Sequence, residues 1–229
     1  MPRYAIFFAP LANDPLNKLA AQWLGRDVFT GTRVDRASLV EGLSLQQFDE
    51  LTSSARRYGF HGTLKAPFEL AEGKSIEELE QALKAYAEQA TSFSLPRFTI
   101  GQLGSFFALR PCEPTAPLKA LASDLVRTFD DFRAPLDEKD IVRRNPEKLT
   151  ERQRQNLFGW GYPYIFEDFR FHMTLTNPVP DPLASAFQAA LEAHFAQAIM
   201  EPQEVRSLSL YEEADAGGPF VVRQQFRLG

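Results

Sequence analysis

The sequence has one cysteine, three histidines and no long run of apolar residues, and each shortage excludes a class of protein or site. Because Cys112 has no second cysteine to pair with, an internal disulfide and a zinc site with four cysteine ligands are both excluded. No stretch approaches the roughly 18 consecutive apolar residues of a membrane-spanning helix. The apolar start at 4–9 is followed by Pro10 and lacks the cleavage pattern of a secretory signal. We therefore expect a soluble, cytoplasmic protein without a membrane partner.

The chain also lacks an excess of positive charge. It has 25 Lys and Arg side chains against 30 Asp and Glu, a formal net charge of −5. No global positive field is therefore available to attract duplex DNA or an anionic membrane surface. A phosphate-bearing partner, such as a small-molecule phosphate ester or an RNA terminus, would have to be bound by local groups.

Helix-start signals alternate with short β-rich runs along the chain. Capping side chains or prolines predict helices that begin near Asp14, Ser44, Ser75, Thr115 and Asp181. The β-rich runs lie at 4–9, 60–68, 98–109, 171–175, 205–211 and 219–228. Several runs are joined by glycine turns and none carries a glycine-rich phosphate loop, so a wholly parallel doubly wound sheet is disfavoured. The pattern predicts an α+β fold with antiparallel sheets.

One segment, residues 133–164, departs from this alternation. It contains Arg143-Arg144-Asn145-Pro146, a helix signal after Thr150, and the sequence Gly-Trp-Gly-Tyr-Pro. We predict an irregular insertion beside the main body of a single domain that covers residues 1–229. The stretch 143–154 has five basic and two acidic side chains. It is interpreted either as a lid that binds phosphate, through Arg143 and Arg144, or as ordinary solvated surface.

The clearest feature is an internal repeat. Residues 58–68 read Tyr-Gly-Phe-His-Gly-Thr-Leu-Lys-Ala-Pro-Phe and residues 169–179 read Phe-Arg-Phe-His-Met-Thr-Leu-Thr-Asn-Pro-Val, with five of eleven positions identical. The copies lie 111 residues apart, close to half of the chain, and two of the three histidines occupy equivalent positions in them. Such a duplication predicts two pseudo-symmetric halves around a central cleft.

Strand geometry assigns faces to this repeat, because successive side chains of a strand point to opposite sides. One face then carries the polar side chains: His61, Thr63 and Lys65 in the first copy, and His172, Thr174 and Thr176 in the second. Arg57 joins that face if the first strand begins before Phe60. Each strand is therefore predicted to present an imidazole beside a hydroxyl group.

Two imidazoles and two hydroxyl groups around one cleft suit the cleavage of a phosphodiester. Near neutrality one imidazole can accept a proton while the other donates one, and Thr63 and Thr174 can donate hydrogen bonds to phosphate oxygens. Candidate substrate-binding residues are Lys65, Arg57, Arg143, Arg144 and Thr176. Two histidines without a nearby carboxylate or cysteine fall short of a metal site, so we expect neither a metal nor another cofactor. His194, on a predicted helix, is given no catalytic role.

Simpler interpretations stay open for these residues. The histidines could be satisfied imidazoles in a repeat whose chemistry has decayed, the threonines could be strand formers, and Lys65 could be a solvated lysine at a strand edge. A non-catalytic protein could instead bind a nucleotide or an RNA end, with Trp160, Tyr162 and Tyr164 as a stacking surface. Turnover distinguishes the enzyme from the binding protein.

The two tetrads His61-Gly62-Thr63-Leu64 and His172-Met173-Thr174-Leu175 resemble the paired His-x-Thr-x motifs of the two-histidine (2H) phosphoesterase superfamily. Over nearly its full length, including Trp-Gly-Tyr-Pro-Tyr, the chain is also similar to a bacterial phosphonate-metabolism family, a domain of unknown function. The resemblance implies a bilobal α+β fold and activity on cyclic phosphates or RNA termini. Members of the bacterial family are associated with phosphonate utilisation, in which carbon–phosphorus bond cleavage yields a ribose cyclic phosphate. Opening a ribose or nucleoside cyclic phosphate is therefore the hypothesis for the activity. Gly62 departs from the superfamily pattern, in which an apolar side chain usually follows the histidine.

Overall fold

The computed structural model describes all 229 residues and has nine strands and seven helices. The strands are β1 (Arg3–Phe8), β2 (Gly62–Phe68), β3 (Phe93–Leu95), β4 (Phe98–Leu103), β5 (Phe106–Pro111), β6 (Met173–Thr174), β7 (Gln203–Val205), β8 (Ser207–Glu213) and β9 (Phe220–Arg227). Seven of them form one antiparallel sheet in the order β4-β5-β6-β2-β1-β8-β9, and β3 pairs with β7 in a small second sheet. The predicted α+β class is confirmed.

Six of the seven helices begin at the residues that the sequence signals indicate, and the fifth has no predicted counterpart. The helices are α1 (Pro15–Leu24), α2 (Leu45–Tyr58), α3 (Ile76–Gln89), α4 (Ala116–Thr128), α5 (Glu138–Arg143), α6 (Glu151–Trp160) and α7 (Asp181–Phe195). Ser44, Ser75 and Thr150 each form a reciprocal capping box with the residue three positions later, which satisfies free amide donors of the first turn. None of the helices is long and apolar enough to span a bilayer.

Four elements differ from the sequence-based prediction, and one of them is β3, a strand that it did not include. The run 98–109 is a hairpin of two strands because Gly104 turns the chain with a φ of 60°. The run 171–175 pairs as a strand only at Met173 and Thr174. The insertion 133–164 contains the short helix α5 as well as the α6 helix that its capping signal predicts.

The two faces of the large sheet pack against different clusters. Ile6 and Phe8 belong to a core of 37 buried residues that includes the apolar faces of α1, α2, α3, α4 and α7. Phe7, between them on β1, belongs to a smaller cluster on the opposite face with Tyr211 and Phe220. All long helices except α6 therefore cover one face, and the other face is left for the histidines.

The two strands that carry the repeat motifs pair with each other at a single pair of residues. Gly62 on β2 pairs with Met173 on β6 in antiparallel register. Through this pair the strands β4, β5 and β6 continue the sheet formed by β1, β2, β8 and β9. The buried Trp23 indole of α1 donates to the Leu175 carbonyl at 3.0 Å, which fixes the second repeat against the helical layer.

Candidate active site

The two repeat histidines are held in the same way by their own segments. Nδ1 of His61 lies 2.8 Å from the Gly59 carbonyl oxygen, and Nδ1 of His172 lies 2.7 Å from the Arg170 carbonyl oxygen. A carbonyl can only accept, so each ring carries its hydrogen on Nδ1. In both rings Nε2 is therefore the nitrogen that is available for proton transfer.

The pairing of Gly62 with Met173 brings both motifs to one face of the sheet. Side chains that flank this pair point away from the helical core, and the antiparallel register puts His61 across from Thr174 and Thr63 across from His172. Opposite side chains in such a ladder have Cβ atoms roughly 4.5–5.5 Å apart. The neighbouring strands support this assignment. Thr63 pairs with Phe7, which belongs to the cluster on the face opposite the helical core, and Thr174 pairs with Ala108, which is not part of that core.

A cavity of about 430 Å³ opens on this face. Its lining includes Thr63, His172, Phe106, Tyr162, Tyr164 and Arg170. His61 lies next to it, with Nε2 3.3 Å from the Thr63 hydroxyl oxygen. A larger cavity of about 700 Å³ lies elsewhere, between α1 and residues 197–207, and shares no residue with the histidine site.

Aromatic rings enclose His61. Phe7 stacks on the imidazole with ring centres 3.9 Å apart, and the rings of Tyr58 and Tyr211 lie about 6 Å away. The pKa of His61 is lowered to about 4, chiefly by burial; the bond to Gly59 opposes the shift and the charge of His172 adds to it. His61 is therefore neutral at pH 7, and the two imidazoles are near enough to interact electrostatically.

Lys65 and Thr176 do not lie in the cleft, and in each copy a bulge explains why. Phe7 pairs with Thr63 but Ile6 pairs with Lys65, so β2 has an extra residue between them. In the second copy the amides of Leu175 and Thr176 both donate to the Phe107 carbonyl, the mark of a bulge at the equivalent place. A bulge breaks the alternation of faces, so the residue after it turns away from the histidine face.

The new positions of these two side chains are structural. The buried Lys65 ammonium donates to Asp130 Oδ1 at 3.3 Å and to the Val126 carbonyl at 3.2 Å. The buried Thr176 hydroxyl accepts from the Phe107 amide at 2.9 Å. The prediction that they share a face with the histidines is thus corrected: the structure places both in the packed interior.

The three predicted arginines have different surroundings. Arg57 forms an ion pair with the buried Glu213, which Arg3 also contacts, and donates to the Gly217 carbonyl. Arg143 is exposed and pairs with Asp140 on its own helix. Arg144 alone touches a residue of the cavity, because its guanidinium lies 4.7 Å from the centre of the Tyr162 ring.

Arg170 is a cavity residue that the sequence-based prediction missed. It is exposed, lines the cavity and supplies the carbonyl that holds His172. The signal was present, because a residue two positions before His172 lies on the same face of an extended chain. The equivalent position in the first copy is Gly59, so comparison of the two copies does not single out a positively charged residue there.

Of the three aromatic residues predicted as a stacking surface, Tyr162 and Tyr164 line the cavity, whereas Trp160 packs on Phe166.

The remaining histidine and the acidic residues do not extend the site. His194 lies on α7, with Nε2 2.8 Å from the Leu19 carbonyl oxygen. No group of three or more His, Cys, Asp or Glu side chains is arranged to hold a metal ion.

Comparison with known proteins identifies relatives and similar folds. The curated "Ribose 1,5-bisphosphate phosphokinase PhnN" of Janthinobacterium sp. (strain Marseille) is 37% identical over 98% of this chain, and that of Laribacter hongkongensis (strain HLHK9) is 34% identical over 95%. The chain spans about half the length of these relatives, 50% of each.

Solved structures align with nearly the whole chain. A phosphoesterase crystal structure has 15% identity, a TM-score of 0.45, and coverage of 99% of this chain and 97% of its own. E. coli LigT complexed with ATP has 14% identity, a TM-score of 0.43, and coverage of 99% and 96%. LigT complexed with 3'-AMP has 14% identity, a TM-score of 0.44, and coverage of 99% and 98%.

A protein-family match covers residues 63–221, most of the chain and both His-x-Thr-x threonines. The chain therefore belongs to the family described as "Protein of unknown function (DUF1045)".

Proposed function

We propose that this protein is a metal-independent phosphoesterase of the 2H type that opens a cyclic phosphodiester. The observation that carries the proposal is the arrangement of the two imidazoles. Each has Nδ1 bound to a backbone carbonyl two residues earlier, and each lies with a threonine on one face of the sheet. This is the arrangement needed for one proton acceptor and one proton donor on either side of a phosphorus atom.

The surroundings of the two rings favour different roles. His61 is neutral at pH 7 because burial holds its pKa at about 4, so its Nε2 can accept a proton from an attacking water molecule. The water oxygen bonds to phosphorus as one ring P–O bond breaks. The proton donor in this step is the imidazolium form of His172, which carries hydrogens on both nitrogens. The departing oxygen takes the proton of its Nε2, which gives a phosphate monoester and a free hydroxyl group and leaves His172 neutral with its hydrogen on Nδ1.

Other groups on the same face support binding of the phosphate and of the group attached to it. The hydroxyls of Thr63 and Thr174 can donate to the non-bridging oxygens, where negative charge grows in the transition state. Arg170 and Arg144 supply positive charge at the cavity wall and at Tyr162. The rings of Tyr162 and Tyr164 offer apolar faces for a sugar or base.

The names of the curated relatives favour a ribose phosphate as the substrate. Those proteins are named for phosphorylation of ribose 1,5-bisphosphate, and this chain matches half of each. The sequence has no phosphate loop of the Walker type, so we assign the kinase chemistry to the half that it does not match. A ribose 1,2-cyclic phosphate that carries a 5-phosphate gives ribose 1,5-bisphosphate when its bond from O2 to phosphorus breaks. Opening such a ring is the reaction that we propose.

A panel of cyclic phosphates tests this proposal. Purified protein is incubated in EDTA with ribose 1,2-cyclic phosphate, its 5-phosphorylated form and nucleoside 2′,3′-cyclic phosphates, and products are followed by ³¹P NMR. We expect conversion of a ribose 1,2-cyclic phosphate to a monoester in the presence of EDTA. Binding of these compounds without any product would instead favour the nucleotide or RNA-end binding protein. Activity that disappears in EDTA and returns with a divalent ion would contradict the metal-independent mechanism.

A further inference from the structure

A third cavity, whose lining includes no histidine, is lined by arginines. It has a volume of about 340 Å³ and lies between the C-terminal end of α1, residues 31–36 and α2. Its charged lining residues are Arg26, Arg33, Arg36 and Arg56 against the single carboxylate of Asp49. None of its lining residues belongs to the cavity beside His172.

The single carboxylate does not balance these charges. One oxygen of Asp49 accepts from both Arg36, at 2.6 Å, and Arg56, at 2.7 Å. Arg26 donates only to neutral backbone carbonyls, those of Arg56, Arg57 and Phe220. Arg33 is exposed and makes no side-chain hydrogen bond or ion pair. The cavity thus has an excess of positive charge in a protein whose formal net charge is −5.

Two buried donors of this cluster also lack a partner. Arg26 is 9% exposed and the Arg36 side chain 6%, and in each the Nη1 atom is buried without a hydrogen bond. Buried polar groups are nearly always paired, and guanidinium groups stay charged in proteins. Burial is the main cause that lowers the pKa values of Arg26 and Arg36, and the neighbouring charge of Arg56 adds to it, while Asp27 opposes the shift of Arg26 and Asp49 that of Arg36.

Backbone geometry keeps these side chains in place and leaves the cavity open. Gly25, which ends α1 with a φ of +73°, has no side chain, and a Cβ there would lie 2.7 Å from Arg36 Nε. Arg26 and Arg33 face each other across an isolated antiparallel bridge, which puts the two unbalanced arginines side by side. Neighbouring guanidinium groups are the usual ligands of phosphate, which they can bind in a bidentate manner.

We propose that this arginine cavity is a second anion site that binds the phosphate group of a small phosphorylated metabolite. Its volume exceeds what a single phosphate needs and leaves room for a second phosphate or a sugar. The proposal is independent of the chemistry at the histidines, since it concerns binding alone.

Isothermal titration with inorganic pyrophosphate, at low salt and in phosphate-free buffer, tests this site. Arg33→Gln is the main variant because Arg33 is exposed and makes no contact that folding would lose. Arg97→Gln, at another exposed arginine without a side-chain partner, is the matched control. Arg170→Gln shows which part of the binding belongs to the histidine cleft.

We expect saturable pyrophosphate binding that Arg33→Gln weakens by roughly tenfold or more, the effect of losing one charge-assisted contact. Arg97→Gln should keep this binding, Arg170→Gln should weaken only pyrophosphate binding in the histidine cleft, and circular dichroism should show the same thermal unfolding for all four proteins without ligand. The proposal is overturned if wild type shows no saturable binding up to millimolar pyrophosphate, or if Arg33→Gln binds as tightly as wild type.

Discussion

The ring of Phe171 occupies the space that a side chain at Gly62 would need. A Cβ atom built on Gly62 would lie 2.2 Å from Phe171 Cε2 and 2.3 Å from Cζ. Phe171 comes from the second copy of the repeat, and its ring also stacks on Phe98. Glycine at position 62 therefore allows the two strands to approach closely at the pair that joins them.

Gly62→Ala should destabilise the protein. The new methyl group would force Phe171 or the paired strands apart, at a cost of about 1–3 kcal/mol in the free energy of unfolding, as for other overpacked cores. Urea unfolding followed by circular dichroism measures it. Gly159→Ala is the matched control, because its Cβ would meet nothing within 4 Å and it lies within α6. A Gly62→Ala protein as stable as wild type would contradict this prediction, because the Phe171 ring would then have moved aside without cost.

Arg144→Gln and Arg170→Gln should each raise KM for a phosphorylated substrate. Loss of a charge-assisted contact costs roughly 1.5–3 kcal/mol, which corresponds to about tenfold or more in KM when kcat is unchanged. Lys65→Met serves as the contrasting variant, since the Lys65 ammonium is buried against Asp130 and does not line the cavity beside His172. We expect Lys65→Met to change stability and to leave KM near the wild-type value. Steady-state kinetics that show the largest rise in KM for Lys65→Met would contradict this placement.

The limits of sequence reasoning are clearest at Lys65 and Thr176. Alternation along a strand correctly put His61 with Thr63 and His172 with Thr174, because the chain is regular over those three residues. It was wrong two residues later, because a bulge depends on how one strand meets its neighbour. That information lies in β1 and β5, far away in sequence.

Local signals were sufficient for most of the helices and insufficient for the cavity wall. Capping boxes mark α2, α3 and α6 because the atoms involved are three residues apart. The contact of Arg144 with Tyr162 joins two parts of the insertion, and no periodicity predicts it. The arginine cavity likewise is lined by residues of α2 and of the segment 25–36 before it, so only the folded structure brings its charges together.

The pH dependence of kcat/KM should have its acidic limb at low pH. A general base must be deprotonated, and activity falls as His61 gains a proton. Because its pKa is lowered from 6.5 to about 4, the rate should stay high to about pH 5 and fall with a midpoint near pH 4. The basic limb, which completes a bell-shaped profile, reports the proton donor. An acidic limb centred near pH 6.5 would show that a histidine with its ordinary pKa acts as the base.

The free energy of unfolding should also depend on pH through the His61 imidazole. The folded-state pKa of His61 is below its unfolded value, so between pH 6.5 and about 4 the unfolded chain takes up a proton that the folded protein does not. The free energy of unfolding is therefore unaffected by this shift above pH 6.5, and it falls by up to about 3 kcal/mol as the pH drops to 4. Urea unfolding at several pH values would show wild type losing stability faster than His61→Gln. Parallel curves for the two proteins would contradict the shift.

Turnover by His61→Ala and His172→Ala tests the proposed acid–base pair, with His194→Gln as the control histidine outside the cleft. With ribose 1,2-cyclic phosphate or whichever cyclic phosphate wild type opens, each alanine variant should lose about 10²- to 10⁴-fold in kcat, and His194→Gln should stay near wild type. The thermal unfolding of the variants confirms that they are folded. Folded His61→Ala and His172→Ala proteins that both turn over at the wild-type rate would contradict the assignment of catalysis to these two imidazoles.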